Sequence, residues 1–120
     1  MSEKLVIICT YGPENPEKAT IPFVMATAAL ASEVDVTMAF QSNAVLLGKK
    51  DIALHVPEAG FTPLSDLIDV FIEEGGKIFL CGPCVTTRKL NPEDFLPDLK
   101  VVNAATLVKE VMSANATLVY

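Results

Sequence analysis

A chain of 120 residues, 51% of them hydrophobic, with six glycines and eight prolines, has the composition of one folded domain spanning residues 1–120. Fifteen acidic against nine basic side chains leave a formal charge of -6, which repels phosphate backbones and anionic membranes, so neither nucleic acid nor a membrane is expected as a partner. The pairs Lys49-Lys50 and Arg88-Lys89 are too small for a nucleic-acid footprint, and the longest apolar run, Phe23 to Ala31, is interrupted by Thr27 and falls far short of the ~20 residues of a membrane span.

In chain order, Leu5-Val6-Ile7-Ile8-Cys9 is a continuous apolar run, the pattern of a strand covered on both faces in a parallel sheet. Two prolines and a glycine between Thr10 and Pro16 end it. Residues 17–33 predict a helix apolar nearly all round, which needs cover on more than one side. Pro22 inside it predicts a kink, or a start near Thr20 with that threonine as the cap. Val34 to Phe40 predicts a second strand ending at Gln41-Ser42-Asn43. Ser42 or Asn43 then caps a short helix, Ala44 to Leu47, closed by Gly48-Lys49-Lys50.

Residues 51–61 predict an irregular connection. Thr62 caps and Pro63 opens the clearest amphipathic helix, with Leu64, Leu67, Ile68, Phe71 and Ile72 on one face. Gly75-Gly76 ends it, and Lys77-Ile78-Phe79-Leu80-Cys81 follows as a third buried strand. Val85 to Leu90 predicts a helix, Asn91 to Asp94 a capped turn, and Lys100-Val101-Val102 a fourth strand. Asn103 caps a last helix carrying Ala104, Leu107, Val108, Val111 and Met112 on one face, before a strand from Ala116 to Tyr120. Strands alternating with helices predict an α/β fold, a three-layer α/β/α sandwich on a mostly parallel sheet of about five strands.

Such sheets bind ligands outside the carboxyl ends of their strands. Cys81-Gly82-Pro83-Cys84 falls there, and the strand-end rule brings Thr10-Tyr11-Gly12 and Gln41-Ser42-Asn43 to the same edge. Cys84 is expected in the first turn of the following helix, where free amides and the cation Arg88 one turn on favour the nucleophilic thiolate. Cys81 is its resolving partner or a second sulfur-handling thiol. Arg88, Gly82, Thr10, Gly12 and Gln41 complete the candidate site as substrate-binding residues, Arg88 suiting an anionic donor. For Cys9 the reading is a small apolar core residue.

Three cysteines are an odd number for a disulfide framework, and the chain reads as cytoplasmic. The motif shares its letters with thioredoxin, but here it follows the third predicted strand, is followed by short βα elements, and has no tryptophan before it. A tetrahedral metal site needs four ligands, and the chain offers Cys81, Cys84, a distant Cys9 and one histidine, so no metal is expected. His55 reads as a loop or packing residue. No glycine-rich phosphate loop is present, and no cofactor is expected.

Three segments carry a family likeness: Gly12 to Ala19 running into Ala19 to Ala26, the strand Val36 to Phe40, and Phe79 to Arg88 with its two cysteines. Together they resemble the small single-domain branch of the DsrE/DsrF-like sulfur-relay family. The resemblance implies a compact α/β domain assembling as homo-oligomeric trimers or hexamers. It also implies sulfur donor and acceptor proteins as partners, and a cysteine that carries sulfur as a persulfide or thiosulfonate. The expectation is a sulfurtransferase or sulfur carrier in which Cys84 takes sulfane sulfur and Cys81 assists. Two other readings stand beside it: a noncatalytic ligand-binding or assembly subunit whose apolar first helix packs on copies of itself, and a thiol–disulfide oxidoreductase using an 81–84 disulfide.

Overall fold

The apolar run after Glu3 forms β1 (Lys4–Cys9), and the computed structural model, which describes residues 2–120, continues with α1 (Pro16–Ala31) and β2 (Asp35–Phe40). A 3-10 turn (Ser42–Gly48), α2 (Lys50–Leu54) and α3 (Leu64–Glu73) lead to β3 (Lys77–Cys81). Then come α4 (Gly82–Thr87), a second 3-10 turn (Pro92–Asp94), β4 (Lys100–Val102), α5 (Ala104–Met112) and β5 (Ala116–Val119). All pairings are parallel, and the sheet of five strands runs in the order β4-β3-β2-β1-β5.

That order places the helices. Parallel crossovers are right-handed, so the connections from β1 through β4, which all step the same way, lay α1, α3 and α4 on one face. The connection from β4 to β5 steps back across the sheet and lays α5 on the other. The result is the three-layer α/β/α sandwich.

The first face carries the core. Phe23 of α1 meets Phe40 at 5.8 Å and Phe71 at 5.6 Å between ring centroids, both edge-on. Burying each ring contributes about 1.5–3 kcal/mol. Ile7, Met38, Ile78 and Leu80 project into the same cluster. Their neighbours along the strands, Thr37, Ala39 and Phe79, therefore face α5. This second layer is thin, because no residue of β4, α5 or β5 is fully buried.

Local chemistry shifts several boundaries. Asn15, not Thr20, caps α1, its side chain accepting from the Lys18 amide, and the Thr20 hydroxyl donates to the Pro16 carbonyl inside the helix. Pro22 lies buried within α1. Only one side of α1 is covered, by Ala19, Thr20, Pro22, Phe23 and Ala26, while Met25 is 43% exposed. Pro63 occupies the cap position of α3, one residue later than the Thr62 cap expected from sequence, and no side chain bonds the first turn. The segment after Ser42 is a 3-10 turn, and α2 forms where an irregular connection was expected, burying Ala53. At five residues it is too short to show periodicity.

One polar link joins α5 to the sheet. Glu110 pairs with Lys4 of β1 and accepts from the hydroxyl of Thr37, a buried polar residue of β2. Partial burial pushes the Glu110 carboxyl up, but the bonds from Lys4 and Thr37 and the charges of Lys4 and Lys77 outweigh it and leave the group below the usual glutamate range. A depressed pKa adds stability that is present above the unfolded value of about 4.3 and is lost as pH falls through the folded one. Glu110→Gln should therefore cost about 1–2 kcal/mol in urea unfolding at neutral pH, and the gap to the wild type should narrow as pH falls below the unfolded value and through the lowered folded one.

Candidate functional site

Period-two alternation decides where the first cysteine goes. With Ile78 and Leu80 committed to the core, Phe79 and Cys81 belong to the α5 face. Cys81 then stands at the cap position of α4, and Gly82, Pro83 and Cys84 make that helix's first turn. Gly82 permits this start, since a Cβ there would stand 3.1 Å from the Val102 carbonyl oxygen of β4.

Cys84 turns toward the loop after β2. The Ser42 amide donates to its sulfur at 3.3 Å. Ser42 holds that N–H in place with a backbone φ of 52°, a left-handed conformation uncommon for a residue with a side chain. Arg88 comes to the same loop: its Nε and Nη2 both donate to Asn43 Oδ1, at 3.1 and 2.9 Å, and its Nη1 donates to the Cys84 carbonyl at 3.3 Å. The Arg88 guanidinium has no carboxylate partner among the described residues. One positive charge with neutral neighbours is thus fixed beside the thiols.

The thiols are not equivalent. Burial pushes the Cys81 thiol up, and its hydrogen bond to the Cys84 side chain and the Cys84 charge push it further, against the lowering by the Cys84 amide and Arg88. Cys9 lies buried in the core, where desolvation raises its thiol far above the ordinary range. All three cysteines are free.

The other sequence-selected residues take different places. Gln41 follows β2 and lines, with Cys81, a cleft of about 240 Å³ between the sheet and α5. Gly12 joins the site through its backbone: a Cβ there would lie 2.1 Å from the Asn43 carbonyl oxygen, so only glycine allows the two loops this contact. Thr10 is engaged elsewhere, its hydroxyl and amide both donating to the Tyr120 carbonyl, at 2.8 and 3.1 Å. That bond spans β1 and β5, where the strand order reverses and a ligand crevice would ordinarily open. His55 is exposed at the end of α2, its Nδ1 on the Asp51 carbonyl. Among the described residues no three His, Cys, Asp or Glu side chains gather as a metal ion would need, and no helix is long and apolar enough to cross a membrane.

The DsrE/DsrF-like family model matches residues 3–120, nearly the whole chain and both cysteines with it. The chain belongs to the DsrE/DsrF-like family. DsrE/DsrF-like proteins are associated with sulfur relay. An uncharacterized protein of Methanopyrus kandleri is 26% identical over 116 residues, which cover 97% of this chain and 93% of that protein. An uncharacterized protein of Methanocaldococcus jannaschii is 27% identical over 98% of this chain, which spans only 43% of that longer relative. The ychN protein from E. coli shares the fold at a TM-score of 0.83 and 18% identity, over 98% of this chain and 99% of its own. A protein of unknown function from Methanobacterium thermoautotrophicum does so at 0.76 and 12% identity, each chain covered in full.

The strand-end rule brought Ser42 and Asn43 to this edge with the loop after β2 but assigned neither a contact at the candidate site. Their only sequence signal is a polar triplet closing an apolar strand, together with the tolerance of serine and asparagine for tight turns. The inequality of the thiols has a direct test. Cys84→Ala removes the side-chain bond and the charge that hold Cys81 up, so the pH profile of Cys81 alkylation should move to lower pH, read by iodoacetamide labelling and mass spectrometry.

Proposed function

We propose that this chain is a cytoplasmic sulfur-trafficking protein, acting as one domain, in which Cys84 carries sulfane sulfur. The observation that carries this reading is the Ser42 amide on the Cys84 sulfur, with the unpaired charge of Arg88 held alongside. An amide donor on the sulfur and a cation alongside accommodate an anionic sulfur donor at Cys84. The Cys84 thiolate attacks the outer sulfur of a persulfide R–S–S–H; the S–S bond breaks, Cys84 becomes Cys84–S–S–H, and R–S⁻ leaves. With thiosulfate the leaving group is sulfite. Cys81, beside it, either assists or resolves the loaded cysteine. Free thiols of this kind persist in a reducing compartment, which is why the cytoplasm is proposed.

Mass spectrometry after incubation with polysulfide or tetrathionate tests the assignment. Wild type and Cys81→Ser should gain the adduct and Cys84→Ser should lose it. An unchanged adduct on Cys84→Ser overturns the role of Cys84.

The same reading makes the protein a homo-oligomer, a trimer or hexamer. Its support is the apolar surface of the thin layer, where Val119 is 68% and Met112 78% exposed. Met112 lies on α5 and Val119 on β5. Sedimentation should show an assembly that Met112→Asp weakens, whereas a stable wild-type monomer would contradict it.

A further inference from the structure

The cleft beside Cys81 differs in chemistry from the Cys84 side. Ala39 and Phe79 form its floor and Leu107 and Val108 its wall, with Gln41 and Asn103 as the polar groups. No charged side chain lines it. An anion entering would lose its hydration and find no counter-charge in the lining, Arg88 acting only from outside it, and such a loss is expensive. An apolar group gains what the anion forfeits. The volume, about 240 Å³, is below that of drug-sized pockets. It suits a group of roughly six to ten non-hydrogen atoms.

We infer that this cleft binds the apolar R group of a small uncharged organic disulfide, R–S–S–R, and sets its sulfur against Cys81. The reaction that follows is disulfide exchange. Cys81 gives its proton to water and attacks one sulfur; the S–S bond breaks, Cys81–S–S–R forms, and R–S⁻ leaves. The Cys81 sulfur is oxidised and the departing sulfur reduced, and no other reactant is needed. Because burial and Cys84 keep Cys81 mostly protonated, its selectivity comes from the cleft and not from intrinsic reactivity. The two thiols thus address two ligand classes, anionic donors at Cys84 and apolar disulfides at Cys81.

Methanethiosulfonates are suitable probes, since each transfers its R–S group and releases methanesulfinate. In a Cys84→Ser chain, benzyl methanethiosulfonate should label Cys81 faster than sulfonatoethyl methanethiosulfonate, relative to the same ratio in the urea-unfolded chain. The expected preference is about tenfold or more, the factor that burial of an aromatic ring supplies. Ala104→Phe, a substitution at an exposed position lining the cleft, should return the ratio to its unfolded value.

A second measurement does not depend on the thiol. In a Cys81→Ser, Cys84→Ser chain, phenylmethanethiol should shift the amide resonances of Ala39, Phe79 and Leu107. A folded-state ratio equal to the unfolded one, a preference that survives Ala104→Phe, or no shift at those amides overturns the inference. So does a change of oligomeric state in Ala104→Phe, which would assign the cleft to a second copy of the chain. Polysulfide loading of Cys84 does not use the cleft. A protein that loads sulfur yet ignores the benzyl probe loses only this inference, and one that prefers the probe without loading loses only the sulfur-trafficking role.

Discussion

The alternation of side chains along a strand is the constraint on which the rest depends. The core around Phe23, Phe40 and Phe71 takes Ile78 and Leu80, and β3 then has no choice about the residues between and after them. Phe79 and Cys81 are sent to the α5 side. The helix that starts immediately afterwards turns the backbone, so that Cys84, only three residues on, meets the loop after β2 instead. Two thiols in one short motif thereby acquire different surroundings, one apolar and one furnished with an amide and a guanidinium.

Topology and electrostatics agree on where the open site lies. A sheet ordered β4-β3-β2-β1-β5 reverses direction between β1 and β5, yet Thr10 and the Tyr120 carbonyl close that position with paired hydrogen bonds. The accessible edge moves toward the ends of β2, β3 and β4. At this edge stand Ser42, one of the non-glycine residues with positive φ, and Arg88, held by Asn43. Strain and uncompensated charge are costly, and their meeting here supports this edge as the candidate site.

Much of this was legible in the sequence because the strands are short, apolar and separated by clear breakers. The five strands and the helices α1, α3 and α5 could be read from runs and periodicity, and the caps at Asn91 and Asn103 from residue type. Helix starts were harder where prolines compete. Asn15 and Pro63 took cap positions that Thr20 and Thr62 could equally have filled, since each hydroxyl offers the same acceptor. The short α2 carried no periodic signal. At the site, position in the motif pointed to both cysteines and Arg88, but not to the partners that orient them. Ser42 and Asn43 act through a backbone amide and a single amide oxygen, and such roles leave almost no trace in residue order.

The contact between Gly12 and the Asn43 carbonyl makes two loops into one mechanical part. The segment after β1 abuts the segment after β2 with no side chain between them to yield. Asn43 in turn grips Arg88, which holds the Cys84 carbonyl. The first loop is thus tied through Asn43 and one guanidinium to the Cys84 carbonyl. A glycine far earlier in the chain therefore helps to set where the cysteine helix begins.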